Sequence, residues 1–389
     1  MKKIARIIVN ICLSILGIFV VVLLLEVLAR LFLQPHPYTN FNEPHEQLGR
    51  FFIPGQEGWA VGDGFDNYIK INSHGLRDEE HSYVKAEGIF RILVLADSFG
   101  AAFQVPLEDT FHKVAQNLLN QSAEGRRFEF INGSFPGWGT TQELKFFQVE
   151  GYRYQPDLVL LMFYPGNDVL DNAQSQQKAQ LPSRTTPKAE QISHNLKIWL
   201  TKNSRLYTYV NRTVKLHAPL WLLNILQKAG LLGTVRPLIQ EYVPTDYLVY
   251  SSQYSSDWEN AWAITEKVIR SLRMEVEKYN AKFSVVIITD REQVHPTRWH
   301  EALSTYPAMR SREWDLDKPN RLLASFLKKE GIVYFDLLPA FRDYAREHSV
   351  DLHYHYDSHW NAQGHRLAGE LISKWLIAKK MVPTKGGKP

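Results

Sequence analysis

At 389 residues, 44% hydrophobic and 12% aromatic, the chain is long enough for one large domain or two ordinary ones, and its composition is that of a folded protein. A formal net charge of only +4, with no dense Lys/Arg block, argues against a nucleic-acid partner. The single cysteine, Cys12, excludes an intramolecular disulfide.

Lys2, Lys3 and Arg6 precede an apolar run over residues 7–25, which continues, interrupted by Glu26 and Arg30, to Leu33. About 20 apolar residues suffice to cross the hydrocarbon of a bilayer. The run therefore predicts an uncleaved signal anchor over residues 1–34, with Val27-Leu28-Ala29 the only stretch resembling a cleavage site. By the positive-inside rule the basic start stays in the cytoplasm. The chain is thus expected to be a single-pass protein of the cytoplasmic (inner) membrane, with everything after residue 34 periplasmic or otherwise extracytoplasmic.

Residues 35–88 begin PHPYTNFNEPH and show few periodic apolar positions before Tyr68-Ile-Lys-Ile, so they read as a linker and a small N-terminal subdomain. From Phe90 apolar strands (residues 90–95, 128–132, 158–163, 283–288 and 333–336) alternate with amphipathic helices (110–120, 140–151, 258–279, 318–330 and 361–379). Such a rhythm predicts an α/β domain with a parallel sheet covered on both faces. Ligands of open sheets of this kind bind beyond the carboxyl ends of the strands.

The rhythm breaks over about residues 171–257. Residues 172–191 are polar and Gln-rich and read as a mobile loop; residues 196–239 carry Trp199, Leu200, Tyr207 and Trp221 among scattered Lys and Arg and read as a helical insertion. A cap over the strand ends is the simpler reading of that insertion, and a basic amphipathic stretch on the membrane surface is the other. The domain should close near residue 380, leaving 381–389 as a tail.

Four stretches fall just after strands or before the last helix: Asp97-Ser98, Asn132-Gly-Ser-Phe-Pro-Gly137, Gly166-Asn167-Asp168 and Asp357-Ser-His359. In this order, and with the flanking stretches INSHGLRD, FRILVLADSFG, PDLVLLMFYPGNDVLDN and DSHWNAQGH, they resemble the blocks of the SGNH/GDSL hydrolase superfamily, most closely its bacterial membrane-anchored members. The resemblance spans roughly residues 72–376. It implies a flavodoxin-like three-layer sandwich, the SGNH hydrolase fold. It also implies Ser98 as nucleophile and His359 as base, with an oxyanion hole formed by the Ser98 and Gly137 N–H groups and the Asn167 side-chain amide.

The chemistry of the residues agrees with those roles. A serine hydroxyl is a poor nucleophile at neutral pH and needs a base within hydrogen-bond reach, itself oriented by a third group. Asp357, two residues before His359, is the acid placed to orient it. Taken alone, Ser98 would be an ordinary turn or cap serine, Gly137 a turn glycine, and Asn167 and Asp168 loop-closing residues. His353, His355 and His365 read as surface or core histidines. Their spacing, with no paired cysteines, gives no zinc pattern. No metal or other cofactor is implied.

Three departures from the family pattern stand out. Ala96 replaces the first glycine of Gly-Asp-Ser, where a positive φ would be costly. The third block reads Pro165-Gly166-Asn167-Asp168 rather than Gly-x-Asn-Asp. In the last block the aspartate stands two residues before the histidine instead of three, with Tyr356 at the usual place. The same D-x-H spacing occurs in SGNH domains that acetylate exported polysaccharides.

The expected activity is serine-dependent ester hydrolysis outside the cytoplasmic membrane through an acyl-enzyme on Ser98. The alternatives are an O-acyltransferase that passes the same acyl group to an exported glycan, supplied by a separate membrane acyl-donor protein, and an envelope binding module whose site has decayed. The expected partners are an ester or an acylated glycan or lipid, and the membrane through the N-terminal helix.

Overall fold

Seven residues of near-unbroken apolar character, Ile89–Leu95, form the strand on which the domain is built. The computed structural model describes residues 2–32, 39–62, 64–122, 127–180, 199–200, 203–217, 222, 225, 243–355 and 357–383. Nine strands appear among them: β1 (Asn42–His45), β2 (Gly49–Phe52), β3 (Glu57–Gly62), β4 (Phe65–Lys70), β5 (Ile89–Leu95), β6 (Arg127–Asn132), β7 (Leu158–Phe163), β8 (Lys282–Ile287) and β9 (Val333–Asp336). The last five make one sheet in the order β6-β5-β7-β8-β9, with every neighbouring pair parallel.

Alternate side chains of these strands enter two separate cores, as the period-2 geometry of a strand requires. Leu93, Leu95, Val159, Leu161, Val285 and Ile287 pack with the helices Thr140–Val149, Ser256–Glu277 and Lys318–Lys329. Ile92, Val94, Leu158, Leu160, Met162 and Val286 pack with Phe111–Ser122, Leu338–His348 and Ala362–Ala378. The result is the three-layer α/β sandwich expected from the sequence.

Residues 42–70 are more ordered than the sequence suggested. They form two antiparallel hairpins, β1–β2 and β3–β4. Phe51 and Phe52 of β2 enter the first core, Phe51 stacking on Trp138 with ring centroids 5.6 Å apart and Phe52 lying 4.6 Å from Phe135. The hairpin thereby braces the loop that follows β6.

The break in the rhythm also differs from its reading. Residues 172–180, expected to be loop, continue the helix Asp168–Gln180. Its Asn172 is fully buried and joins two neighbouring helices, accepting from the Thr141 N–H at 3.0 Å and donating to the Thr265 hydroxyl at 3.3 Å. Residues 181–198, 201–202 and all but two of 218–242 lie outside the described residues, so of the helical insertion expected over 196–239 the structure describes mainly one helix, Arg205–His217. Met381 and Val382, read as tail, are buried in the second core.

By compactness the chain divides into Met1–Thr39 with Ser183–Ile239, and Asn40–Pro182 with Gln240–Pro389. The first unit contains the helix Lys2–Phe32, whose stretch Cys12–Phe32 is long and apolar enough to cross a membrane.

Candidate active site

Ser98 begins the short helix Ser98–Ala101 immediately after β5. Asp97, fully buried, caps that helix by accepting the Phe99 N–H at 2.8 Å. Ala96 is also fully buried, and its backbone is not among the positive-φ residues, so the turn carries no penalty for the missing glycine. The close approach falls instead at Gly100, where an added Cβ would lie 2.6 Å from the Ala96 Cβ and 2.3 Å from the Ser134 hydroxyl.

His359 comes to Ser98 from the other end of the chain. Its Nε2 lies 2.7 Å from the Ser98 Oγ, and its Nδ1 lies 2.6 Å from the Asp357 Oδ1. With Nδ1–H donating to the carboxylate, Nε2 is the free acceptor for the serine proton, the tautomer being assigned from these partners. The D-x-H spacing works because Ser358, between the two, sits in the left-handed region at φ +72°. The loop is closed by the Tyr354 N–H donating to the His359 carbonyl at 2.8 Å and by an antiparallel bridge between His353 and Trp360.

Burial and charge oppose each other at His359. Burial beside the Phe99 ring, 4.8 Å away between centroids, pushes its pKa down, but the hydrogen bond and charge of Asp357, followed by the charge of Asp97, carry it above the ordinary 6.5. Burial pushes Asp357 up, yet its bonds to His359 and Gln104 leave it below the usual carboxylate value. Gln104 had no signal in the sequence. Its side-chain amide donates to Asp357 Oδ1 at 3.0 Å, and its carbonyl accepts the Tyr354 hydroxyl at 2.9 Å.

The other block residues gather at the same strand ends. Asn167 donates its side-chain amide to Asp97 Oδ2 at 3.2 Å, which spends one of its two N–H groups and leaves the second. Asp168 closes the preceding turn: its carboxylate accepts the Tyr164 N–H at 2.7 Å while its own N–H donates to the Tyr164 carbonyl at 3.0 Å. Glycine stands at 166 because the Tyr164 ring lies against it, 2.4 Å from where a Cβ would be. Gly137 is exposed, with φ +77° and open space where a Cβ would point, two residues beyond Phe135, whose N–H donates to the Ala96 carbonyl at 3.1 Å.

Beneath the turn lies a polar foundation built from the INSHGLRD stretch. Arg77 is 2% exposed, and its guanidinium donates to the carbonyls of Ala101, Ala102 and Val105, which end the serine helix and follow it. Asp78 accepts the Asn132 N–H at 2.8 Å and pairs with Lys113 at 2.6 Å. The other histidines stand apart from this chemistry: His353 is buried near Thr289, and His365 stacks on Phe111. Among the described residues no group of three His, Cys, Asp or Glu is placed to hold a metal ion.

Residues 246–388 match the family model of the SGNH hydrolase-like domain, acetyltransferase AlgX. The match contains Asp357 and His359 and ends short of the segments bearing Ser98, Gly137 and Asn167. Similar solved structures include the acetyl xylan esterase AlAXEase (12% identity, 74% of this chain and 99% of that one, TM-score 0.39) and TesA (13%, 75% and 99%, 0.37). A two-domain esterase (CEX) active on acetylated mannans is similar at 9% identity over 77% of this chain and 52% of that one, with a TM-score of 0.39. No curated protein matches the chain.

Proposed function

The chain carries an SGNH hydrolase-like domain and is an enzyme of the esterase or acyltransferase kind; from that premise we propose that it works through an acyl-enzyme on Ser98, outside the cytoplasmic membrane. The observation that carries the reading is the continuous line from Asp357 through His359 to the Ser98 hydroxyl, at 2.6 and 2.7 Å.

In the first half-reaction the Ser98 Oγ forms a bond to the ester carbonyl carbon as its proton passes to His359 Nε2. The carbonyl oxygen becomes an oxyanion, received by the Ser98 and Gly137 N–H groups and the second N–H of Asn167, each donor contributing about 3 to 4 kcal/mol to the transition state. Collapse breaks the bond to the alcohol oxygen, which leaves with the proton from His359. In the second half-reaction a hydroxyl gives its proton to His359 and attacks the acyl carbon, and as the acyl–Oγ bond breaks His359 returns that proton to Ser98.

Water as that second hydroxyl makes the protein an esterase. A sugar hydroxyl makes it an O-acyltransferase, which is favoured by the acetyltransferase name of the matched family model and by the D-x-H spacing. The helix Lys2–Phe32 supports a membrane-anchored enzyme, its basic start in the cytoplasm and its sheet domain on the far side.

A fluorophosphonate probe tests the nucleophile: the wild type should be labelled and Ser98→Ala should not. An Ser98→Ala variant that still hydrolyses p-nitrophenyl acetate at the wild-type rate would end the proposal. Adding oligosaccharide acceptors to the acetylated enzyme then separates the two outcomes, by free acetate or by acetylated sugar.

A further inference from the structure

We propose that the helix Arg205–His217 lies in the plane of the outer leaflet, fixed there by Glu26 of the N-terminal helix, so that the anchor is a membrane span joined to a foot on the phospholipid surface. This rests on the membrane-anchored reading above. It adds a lipid-binding element to it.

The argument begins with depth. Residues 7–25 rise about 28 Å along a helix, close to the roughly 30 Å of a hydrocarbon core. Glu26 and Arg30, paired at 2.8 Å, lie in the outer half of the apolar stretch Cys12–Phe32, where its uncharged run ends, and that end is taken as the outer boundary of the hydrocarbon. A carboxylate at that level is costly unless partnered, and Glu26 has four partners. Its Oε1 accepts from Arg30 Nε at 2.8 Å and from the Arg205 N–H at 3.0 Å; its Oε2 accepts from the Ser204 hydroxyl at 2.7 Å and from the Leu206 N–H at 3.0 Å.

Those bonds are the N-terminal cap of the second helix. The first amides of a helix have no partner within it. Here Glu26 takes two, and the Ser204 hydroxyl takes the third, from Tyr207, at 3.0 Å. Arg30 adds a bond to the Asn203 carbonyl at 2.7 Å. The first turn of Arg205–His217 is therefore held at headgroup depth.

What the helix presents there suits lipid rather than water. Tyr209 and Val210 are 48% and 46% exposed, and Leu206, Val210 and Val214 recur at helical spacing. Trp199, 59% exposed just upstream, is of the residue type that collects at membrane interfaces. The sequence RLYTYVNRTVKLH holds Arg205, Arg212 and Lys215 and no acidic residue, which favours phospholipid phosphates as the partner chemistry.

The test uses the full chain in vesicles of phosphatidylcholine and phosphatidylglycerol. In a Cys12→Ser background, Val210→Cys is labelled with an environment-sensitive fluorophore, and Val84→Cys, at a 76% exposed position on the sheet domain, is the reference. The label at 210 should shift to the blue and be quenched by nitroxide lipids, while the label at 84 should do neither. Glu26→Leu should return the 210 label to water. A 210 label that behaves like the reference overturns the inference, as does one that shifts to the blue without lipid quenching, which would mean packing on protein. Protein that fails to float with the vesicles removes the anchor itself, whereas flotation with a water-exposed Val210 removes only the foot.

Discussion

Asn167 is held by Asp97: the side-chain amide of the residue after β7 donates across 3.2 Å to the carboxylate that precedes the serine after β5. Two strand ends are thereby locked into one site. Asn167→Ala should lower kcat about 10²- to 10³-fold with little change in KM, as for loss of one oxyanion donor. Asp97→Asn should lose much of the same effect indirectly. The double variant should fall well short of the product of the two, because the residues act as one unit. Steady-state kinetics on a short p-nitrophenyl ester measure all three.

Under the proposed mechanism, the dyad of His359 and Asp357 should set the acid limb of the pH profile. His359 must be neutral to accept the Ser98 proton, so kcat/KM should rise with pH through its pKa, with a midpoint above 6.5. Asp357 contributes most of the upward push. In Asp357→Asn the midpoint should therefore move to lower pH, while the plateau falls about 10⁴-fold because the imidazole loses its tautomer. A midpoint that stays put would mean another group controls the limb.

The left-handed Ser358 should be the tightest backbone constraint on the dyad. Ser358→Gly should leave stability equal or slightly higher, since glycine takes φ +72° without strain. Ser358→Val should cost about 1 to 2 kcal/mol and lower kcat by opening the Asp357 contact. Denaturant melts read the first quantity and rates the second.

Glu143 ties stability to pH. It is fully buried on the helix Thr140–Val149, with the Thr140 side chain as its nearest polar neighbour, and burial, followed by the charge of Asp97, pushes its pKa well above 4.5 against the lowering pull of Thr140. The native state then holds a proton that the unfolded state releases. Stability attributable to this group is present below about pH 4.5 and is lost as pH rises toward the native pKa, at about 1.4 kcal/mol per unit of the window. Glu143→Gln should remove that slope. Calorimetric melting from acid to mildly alkaline pH should show the variant gaining on the wild type as pH rises.

Much of this was legible in the sequence, for identifiable reasons. β5, β7 and β8 are buried on both faces and read as continuous apolar runs, and three of the four blocks follow strand ends, where the sheet geometry gathers them, while the last precedes the final helix. The hairpins of residues 42–70 escaped notice because strands such as NEPH and GRFF are short and half exposed, with no alternation to read. The helix Leu338–His348, which begins two residues after β9, is absent from the expected helices. Gln104 and Glu143 carry no local signal at all: a lone Gln in a loop or a Glu on a helix becomes informative only when folding brings Asp357 or Asp97 beside it.

Arg77 places an indispensable part of the serine turn in front of the sheet. Its three bonds hold the carbonyls at residues 101, 102 and 105, yet it comes from the segment between the hairpins and β5, which no block marks. A shortened chain starting at Ile89 would keep Ser98, Gly137, Asn167, Asp357 and His359 and leave the Ala101 and Val105 carbonyls without the guanidinium, at about 1 to 3 kcal/mol for each one unsatisfied, the Ala102 carbonyl keeping the Val105 N–H. The N-terminal limit of the autonomous folding unit therefore falls upstream of Arg77, and a shuffled or fused version of the enzyme should be cut there.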